Sequence, residues 1–300
     1  MNILICVSDN RIRPALVLMC SICKNNPKTN INLHIAANNL SDGNRNLIDK
    51  LAERLGTINL SYIDLPIEGE IPDSDLVLQV QNVVVNMSDE VEKLLYLDVN
   101  SLVTGDITKL WNTELDGFAM AACRDANVYI NELENEYLGK SGIDKSFVWF
   151  STAVMLINVK YWRRRHIDLL IWDSYKENQY RENLSVQQIF NRNLCDKIRY
   201  VSWGRYCVPT CFYRLDLKAV VDGNIEFASY EQINTHGNVA EYIESHVDIT
   251  ERVIQNACII TYCNDESRPW KHAGVDVYWV YRLYHSTWFE YENMMLKYLN

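Results

Sequence analysis

The stretch 94–103 reads LLYLDVNSLV, and it decides the fold. Its first four residues are apolar and lead directly into Asp98, which is typical of a buried strand that ends at a carboxylate. Ligands of parallel sheets bind beyond the carboxyl ends of the strands, so Asp98 is expected to face a binding crevice. The alternative is an ordinary turn or helix-cap carboxylate.

Strand and helix alternate on the N-terminal side of this stretch. Apolar runs predict strands at 2–8, 31–37 and 58–64. Helices are predicted between them at 13–24 and 41–56, the second capped by Ser41 and ended by Gly56. The segment 75–87 fits either a strand or a helix. This rhythm predicts an α/β fold with a mixed, mostly parallel sheet flanked by helices.

The second half of the chain is less regular. A strand is predicted at 153–158, followed by a basic aromatic turn at 161–166. The remaining predicted elements are helices at 167–177 and 184–193, a strand at 257–262 and a helical end at 275–299. No repeat, low-complexity tract or Pro/Gly-rich linker interrupts the chain, so a single domain over 1–300 is expected.

Composition excludes several classes of function. The chain has 29 basic and 39 acidic side chains, a formal charge of −10. This balance argues against nucleic acid as a partner, because binding it needs clustered Lys and Arg. Glycine is scarce, at 11 of 300 residues, and the glycine-rich phosphate-binding motifs GxGxxG and GxxxxGK are absent. A phosphate group would have to be held in another way.

The cysteines and the N-terminus bear on location. The nine cysteines include one CxxC pair, Cys20 and Cys23, which falls in a predicted helix and has no second pair at zinc-site spacing. We therefore expect buried, reduced thiols. Neither a signal peptide nor a transmembrane segment is indicated. The expected location is the cytoplasm, either free or peripheral to the membrane.

Four segments, in the right order, resemble family-8 glycosyltransferases, the group of lipopolysaccharide galactosyl- and glucosyltransferases and glycogenin. The segment 96–103 resembles the family's YLDxDxLV strand end. The others are 150–158 with 162–164, resembling FNAGVLLIN…WRR, 185–191, resembling DQDILN, and 261–270, resembling HxxGxxKPW. The resemblance implies one GT-A-type nucleotide-sugar-binding domain, with a nucleotide-binding half at 1–125. The half at 126–300 would hold the acceptor and the C-terminal helices.

The resemblance also implies an activity and a set of site residues. Family members transfer a hexose from a UDP-sugar to a hydroxyl group with retention of configuration, and a divalent cation, usually Mn²⁺, bridges enzyme and diphosphate. The implied residues are Asp98 and Asn100 at the metal, Gln187 as the catalytic residue beside the anomeric carbon, and Ser8, Asn10, Asp125, Ser151 and Arg268 at the donor. The partners would be the nucleotide-sugar and a glycan or protein acceptor, with a protein partner or a second copy of the chain as further options.

The sequence departs from the family pattern at the positions of the metal-binding and donor-binding residues. Asn100 replaces the second metal-binding Asp, and Thr261 replaces the His, so the cation site is weakened. Ser8, Ser151 and Val186 also replace polar family residues. Such a pattern is expected where the fold is needed but metal-dependent transfer is not. The alternatives to a transferase are a catalytically degenerate binding or stabilising partner, and a nucleotide-sugar hydrolase or sensor.

A basic cluster stands where the family keeps its diphosphate-binding Lys. Arg268, Lys271 and His272 could neutralise a diphosphate if the cation site is weak, and donor binding would then survive a chelator. The alternative is a loop whose cations point to water.

Each remaining candidate site residue could instead have an ordinary structural role. Asn100 is an ordinary turn residue, Asp125 would pair with Arg124, and Gln187 would be a solvent-facing helix residue. The basic run at 163–165 is expected to be a solvated face. The acceptor is expected at the loop 126–148 and its aromatic residues, namely Tyr129, Tyr137 and Trp149, and at the C-terminal aromatic residues. The alternative is that the loop aromatics are ordinary core residues and that the C-terminal stretch 278–284 belongs to the core or to an interface.

Overall fold

A computed structural model describes residues 1–38, 40–64, 73–126, 128, 134–181, 184–210, 255–263, 267–271 and 282–300. The strands there are β1 (Asn2–Ser8), β2 (Ile31–Asn38), β3 (Ile58–Asp64), β4 (Lys93–Leu97), β5 (Ser101–Val103), β6 (Met120–Arg124), β7 (Phe150–Asn158), β8 (Ile198–Val201), β9 (Val208–Pro209) and β10 (Ile259–Thr261). The α-helices are α1 (Ile12–Asn25), α2 (Asp42–Leu55), α3 (Gln79–Asn86), α4 (Thr108–Trp111), α5 (Glu134–Lys140), α6 (Val159–Arg165), α7 (Ile167–Arg181), α8 (Val186–Leu194), α9 (Trp203–Tyr206) and α10 (Arg282–Leu299).

Seven strands form the main sheet in the order β3-β2-β1-β4-β7-β6-β8. Only β7 runs antiparallel to its neighbours, β4 and β6, while the other pairings are parallel. The predicted mixed, mostly parallel sheet is therefore confirmed. Because β4 and β6 are both neighbours of β7 and run in the same direction, their carboxyl ends meet at one edge of the sheet.

A second sheet of three strands, β5-β10-β9, lies at that edge. In it β10 pairs antiparallel with β5, and Thr261 is opposite Ser101. This register brings Thr261 to the turn that follows Asp98, although the two residues are far apart in sequence. The predicted strand at 257–262 is confirmed in its central part.

Both faces of the main sheet are covered by helices. Along β1, Ile3, Ile5 and Val7 pack with α1, α2 and α10, whereas Leu4 and Cys6 pack with α3 and the helices α6–α8. A strand that is buried on both faces must be apolar throughout, which is why β1 reads as a continuous apolar run.

Local signals set the helix ends where they were expected. Ser41 caps α2 by accepting a hydrogen bond from the backbone N–H of Asn44, and Gly56 ends this helix at a φ of 66°. A left-handed residue at this position favours glycine, which has no Cβ to clash. The ambiguous segment 75–87 is helical, with a 3₁₀ turn at Asp73–Leu78 followed by α3.

The prediction of a basic turn at 161–166 is wrong. Residues 161–165 belong to α6, which Asn158 caps by accepting a hydrogen bond from the N–H of Tyr161 at 3.0 Å, and only His166, the left-handed C-cap, lies in a turn. Arg163 is not solvated either, because its guanidinium donates to the carbonyl oxygens of Val84 and Met87 and pairs with Asp89. Arg163 thus anchors α6 to the end of α3, whereas Arg164 and Arg165 are exposed, as expected of a solvated face.

In the part of the chain that the structure describes, no helix has the length and apolar character needed to cross a membrane. The C-terminal helix α10 spans Arg282–Leu299, and residues 275–281 of the predicted helical end lie outside the described residues. The eight described cysteines are free thiols, and all of them except Cys263 are buried. Burial raises the pKa of Cys23 to about 11, so that thiol stays protonated.

Candidate functional site

A cavity of about 370 Å³ lies at the carboxyl edge of the main sheet, between the ends of β4 and β6 and the second sheet. Its wall includes six residues singled out from the sequence as site residues, namely Asp98, Asn100, Asp125, Ser151, Gln187 and Arg268. Thr261 lines it as well. The four segments chosen from the sequence therefore meet at one cavity.

Ser8 and Asn10 do not belong to the wall of this cavity. Ser8 is buried at the carboxyl end of β1, and its hydroxyl has no hydrogen-bond partner among the described residues. Asn10 is exposed in the turn that follows. Both lie at the carboxyl edge of the sheet, and their contact with a nucleotide stays a prediction.

Asp98 is held in a tight turn at the end of β4. Its Oδ1 accepts two hydrogen bonds from Asn100, one from the backbone N–H at 2.8 Å and one from Nδ2 at 2.7 Å. Its own N–H donates to the carbonyl oxygen of Ala153 at 2.9 Å on the antiparallel strand β7. An Asp side chain that bonds the backbone two residues onward stabilises such a turn, so the carboxylate has a defined position at the cavity.

Tyr96 lies beneath this carboxylate and donates its hydroxyl to Oδ2 of Asp98 at 3.4 Å. Burial, followed by the negative charge of Asp98, raises the pKa of Tyr96 well above its usual value. The phenol therefore stays protonated and serves as a donor to the carboxylate.

Arg11 lies outside the cavity wall but is hydrogen-bonded to Asn100 in that wall, and sequence reasoning missed it. Its Nη1 donates to Oδ1 of Asn100 at 2.7 Å, across 89 positions of sequence. It follows Asn10 at the carboxyl end of β1, the strand next to β4. The sequence did contain a signal for this contact. Arg11 follows β1 and Asn100 follows β4, and neighbouring parallel strands bring such residues to the same edge of the sheet.

Thr261 uses its hydroxyl within the protein, donating to the carbonyl oxygen of Val208 at 3.3 Å. The described ranges contain no group of three or more His, Cys, Asp and Glu side chains able to hold a metal ion. Asp98 is the one carboxylate among the three candidate metal positions. Its Oδ1 receives two N–H groups, and Oδ1 of Asn100 receives a guanidinium.

These residues do not fit a divalent cation. Metal ligands must offer lone pairs, and the oxygen of Asn100 is directed at a positive group instead. Two like unit charges 4 Å apart repel by about 4 kcal/mol at an effective dielectric constant of 20, and a divalent ion beside a guanidinium would double that cost. The sequence predicted a weakened cation site because two ligands are replaced. The hydrogen bonds of the remaining polar groups weaken that site further.

A second polar cluster lies at the end of β6. Nε2 of Gln187 donates to Oδ2 of Asp125 at 2.6 Å, and Oε1 of Gln187 accepts from the N–H and the hydroxyl of Thr152 at 3.4 and 3.3 Å. The N–H of Val128 donates to Oδ1 of Asp125 at 3.1 Å. Gln187 is thus held between a carboxylate and a strand, and the prediction of a solvent-facing helix residue does not apply. Sequence reasoning missed Thr152.

Two sets of hydrogen bonds position Gln187 at the start of α8. Ser185 and Gln188 form a reciprocal capping box that fixes the first turn of the helix. One turn onward, the buried Asn191 exchanges two hydrogen bonds of 2.9 Å with the backbone of Phe150. Because Phe150 begins β7, this pair locks the helix to the strand that carries Ser151 and Thr152.

Ser151 and the basic cluster are the remaining candidates from the sequence. Ser151 accepts a hydrogen bond from the N–H of Ala153 at 3.2 Å. Nε of Arg268 donates to the carbonyl oxygen of Tyr262 at 3.4 Å. Lys271 is exposed, and His272 lies outside the described residues. The position of the basic cluster is therefore established here only for Arg268 at the cavity and Lys271 outside its wall.

The aromatic residues of the expected acceptor loop differ in burial. Tyr137 lines the cavity, with its ring 5.6 Å from that of Trp149. Trp149 is fully buried, so it is a core residue and the expectation that it contacts an acceptor is wrong. Tyr129 lies outside the described residues.

The family model for glycosyl transferase family 8 matches residues 2–274 of this chain. The chain is a member of glycosyl transferase family 8. The family resemblance of the four motifs is therefore confirmed over nearly the whole sequence.

Solved structures agree with this assignment at the level of the fold. The galactosyltransferase LgtC, in complex with donor and acceptor sugar analogs, has a TM-score of 0.68 at 20% identity, over 98% of this chain and 96% of that one. The glycosyltransferase GlyE of Streptococcus pneumoniae has a TM-score of 0.63 at 16% identity, over 100% of this chain and 62% of that one. The predicted GT-A-type fold is confirmed.

Among curated relatives, a Haemophilus influenzae protein whose name assigns it provisionally to the glycosyltransferases is 28% identical over 167 residues, or 53% of this chain. General stress protein A of Bacillus subtilis is 21% identical over 174 residues, or 56% of this chain. The chain spans 49% of the first relative and 59% of the second.

Proposed function

We propose that this member of glycosyl transferase family 8 transfers a hexose from a UDP-sugar to a hydroxyl group of a glycan or protein, with retention of configuration. The observation that carries the proposal is the hydrogen-bonded cluster of Asp125, Gln187 and Thr152 in the wall of the cavity. This cluster retains the two residues that match the family's sugar-binding and catalytic positions.

The chain's own residues would bind and orient the donor sugar. A carboxylate oxygen carries two lone pairs, so Asp125 can accept sugar hydroxyls while it holds Gln187. Gln187 would then lie beside the anomeric carbon with its amide orientation set by Asp125 and Thr152. Fixed dipoles of this kind stabilise developing charge without reorganisation during the reaction.

Transfer would occur on the front face of the donor. The bond between the anomeric carbon and the diphosphate oxygen breaks, and a bond to the acceptor oxygen forms. The acceptor's proton passes to the departing phosphate oxygen, so no protein carboxylate is needed as a nucleophile. Arg268 would stabilise the leaving diphosphate through a charge-assisted hydrogen bond.

Calorimetry tests the proposal directly. The full chain is titrated with UDP and with a panel of UDP-hexoses, with GDP as the matched control nucleotide. Binding of UDP, and release of UDP from one UDP-hexose in the presence of an acceptor, would support it. Free sugar released equally well without an acceptor would show hydrolysis instead.

A second candidate function is a catalytically degenerate binding or stabilising partner. The observation that favours it is the single carboxylate at the end of β4, where Asn100 and Thr261 now hold other protein groups. Absence of binding to UDP and to every UDP-hexose, with and without manganese, would favour this candidate over the transferase.

A further inference from the structure

Because the cluster at the end of β4 does not fit a divalent cation, another positive group must meet a donor diphosphate there. We infer that the guanidinium of Arg11, held against Asn100, supplies this charge together with Arg268, so that donor binding needs no metal ion. The inference rests on the proposed function, because it takes a nucleotide diphosphate-sugar as the donor.

The neutral amide of Asn100 is suited to this task. Its Oδ1 accepts the hydrogen bond from Arg11 at 2.7 Å, while its Nδ2 donates to Asp98 at 2.7 Å. The amide therefore fixes the guanidinium beside the cavity without cancelling its charge, as a carboxylate at this position would. The Asp-to-Asn change that removes a metal ligand is the same change that gives Arg11 a neutral partner in place of a carboxylate.

Arg11 and Arg268 are connected through a chain of hydrogen bonds that runs through Asn100 and Tyr262. The N–H of Tyr262 donates to the carbonyl oxygen of Asn100 at 2.8 Å, and the carbonyl oxygen of Tyr262 accepts from Nε of Arg268 at 3.4 Å. Asn100, Tyr262 and Arg268 all line the cavity. A phosphate group bound at this wall would thus be approached by two guanidinium groups whose supports are hydrogen-bonded to each other.

The charges of this cluster suit a diphosphate. The guanidinium of Arg11 is hydrogen-bonded to a neutral amide, and Arg268 lies in the cavity wall. A guanidinium presents a planar fork of N–H donors that matches phosphate oxygens in pairs.

The test is calorimetric titration of the full chain with UDP, in EDTA and in manganese chloride. The wild-type dissociation constant should agree within about threefold between the two conditions. In EDTA, Arg11→Gln should weaken UDP binding by about tenfold or more, because it removes a charge-assisted hydrogen bond to phosphate. Arg11→Lys keeps the charge and should recover part of this loss.

Arg54→Gln is the matched control, since it removes the same charge from an exposed position in the last turn of α2. That turn lies at the opposite edge of the sheet, because α2 runs back from the carboxyl ends of the strands. Thermal melting of each variant verifies folding, and the wild-type comparison with and without EDTA needs no variant at all.

Two results would overturn the inference while the proposed function stands. One is wild-type binding of UDP that requires manganese. The other is an Arg11→Gln affinity equal to that of Arg54→Gln in EDTA. A chain that binds no UDP in either condition would overturn the proposed function itself, and the inference with it.

Discussion

The two polar ends of the cavity differ in what they keep of the family pattern. At the end of β6, Asp125 and Gln187 match the family and are bonded to each other at 2.6 Å. At the end of β4, Asp98 matches but Asn100 and Thr261 do not, and each is bonded to a group that no motif includes. Each replaced residue has therefore taken a hydrogen-bond partner within the protein, Asn100 with Arg11 and Thr261 with Val208.

This contrast assigns separate tasks to the two ends. The end of β6 would orient the sugar through a carboxylate and neutral dipoles, and the end of β4 would hold the diphosphate through positive charge. Substitutions at one end should therefore change one measured property and spare the other. Variants at each end test that separation.

Replacing Asp125 by Asn should lower the rate of UDP release from a UDP-hexose by about 100-fold, because the sugar end loses its charged acceptor. The affinity for UDP itself should stay at the wild-type value, since UDP lacks the donor hexose whose hydroxyl groups Asp125 would contact. Asp116→Asn, at an exposed position, is the control. Equal losses of turnover and of UDP affinity would contradict the separation of the two ends.

Replacing Asn191 by Ala should lower the free energy of unfolding by about 2 kcal/mol or more, because two backbone groups of Phe150 lose their buried partners. Urea denaturation measures the effect. The control is Asn193→Ala in the same helix, whose side chain pairs with Ser174 and is partly exposed. A loss no larger than that of the control would show that the lock between α8 and β7 contributes little.

Replacing Asn100 by Asp should make UDP binding depend on metal. A second carboxylate pairs with Arg11 and cancels its charge, so affinity in EDTA should fall by about tenfold, and manganese should restore it. Calorimetry in both conditions measures this, with the exposed Asn112→Asp as the control. Unchanged affinity in EDTA would mean that the charge at the end of β4 does not bind the diphosphate.

Replacing Thr152 by Val should lower kcat by about fivefold, because Gln187 loses a hydrogen bond worth about 1 kcal/mol. The dissociation constant for UDP should not change. Thr152→Ser retains the hydroxyl and should recover the wild-type rate. A Ser variant as slow as the Val variant would indicate that packing of the Thr152 methyl group, rather than its hydroxyl, positions Gln187.

Much of the fold could be predicted because its signals are local. The apolar runs of β1 and β4 follow from burial on both faces of the sheet, and the limits of α2 follow from capping at Ser41 and Gly56. The prediction of a turn at 161–166 was wrong because charge and aromatic content were weighed above helical continuity. Asn158 had signalled a helix start there.

Much of the candidate site was also visible in the sequence, because parallel strands bring their carboxyl ends to one edge. This argument placed Asp98 at the cavity, and the family resemblance added Asp125, Gln187 and Arg268. It missed Thr152 and Arg11, whose significance depends on partners far away in the chain. It also included Trp149, whose aromatic character alone does not tell a core residue from a binding residue.

The sequence alone was sufficient to predict the fold class, the edge of the sheet where ligands bind and the residues missing from the expected metal site. Only the tertiary structure decided what took their place, by bringing Arg11 to Asn100 across 89 positions and Thr261 to Val208 across 53. The reason is physical. Periodicity and capping depend on neighbours within a few residues, whereas the charge at a site depends on every group that folding brings within hydrogen-bond distance.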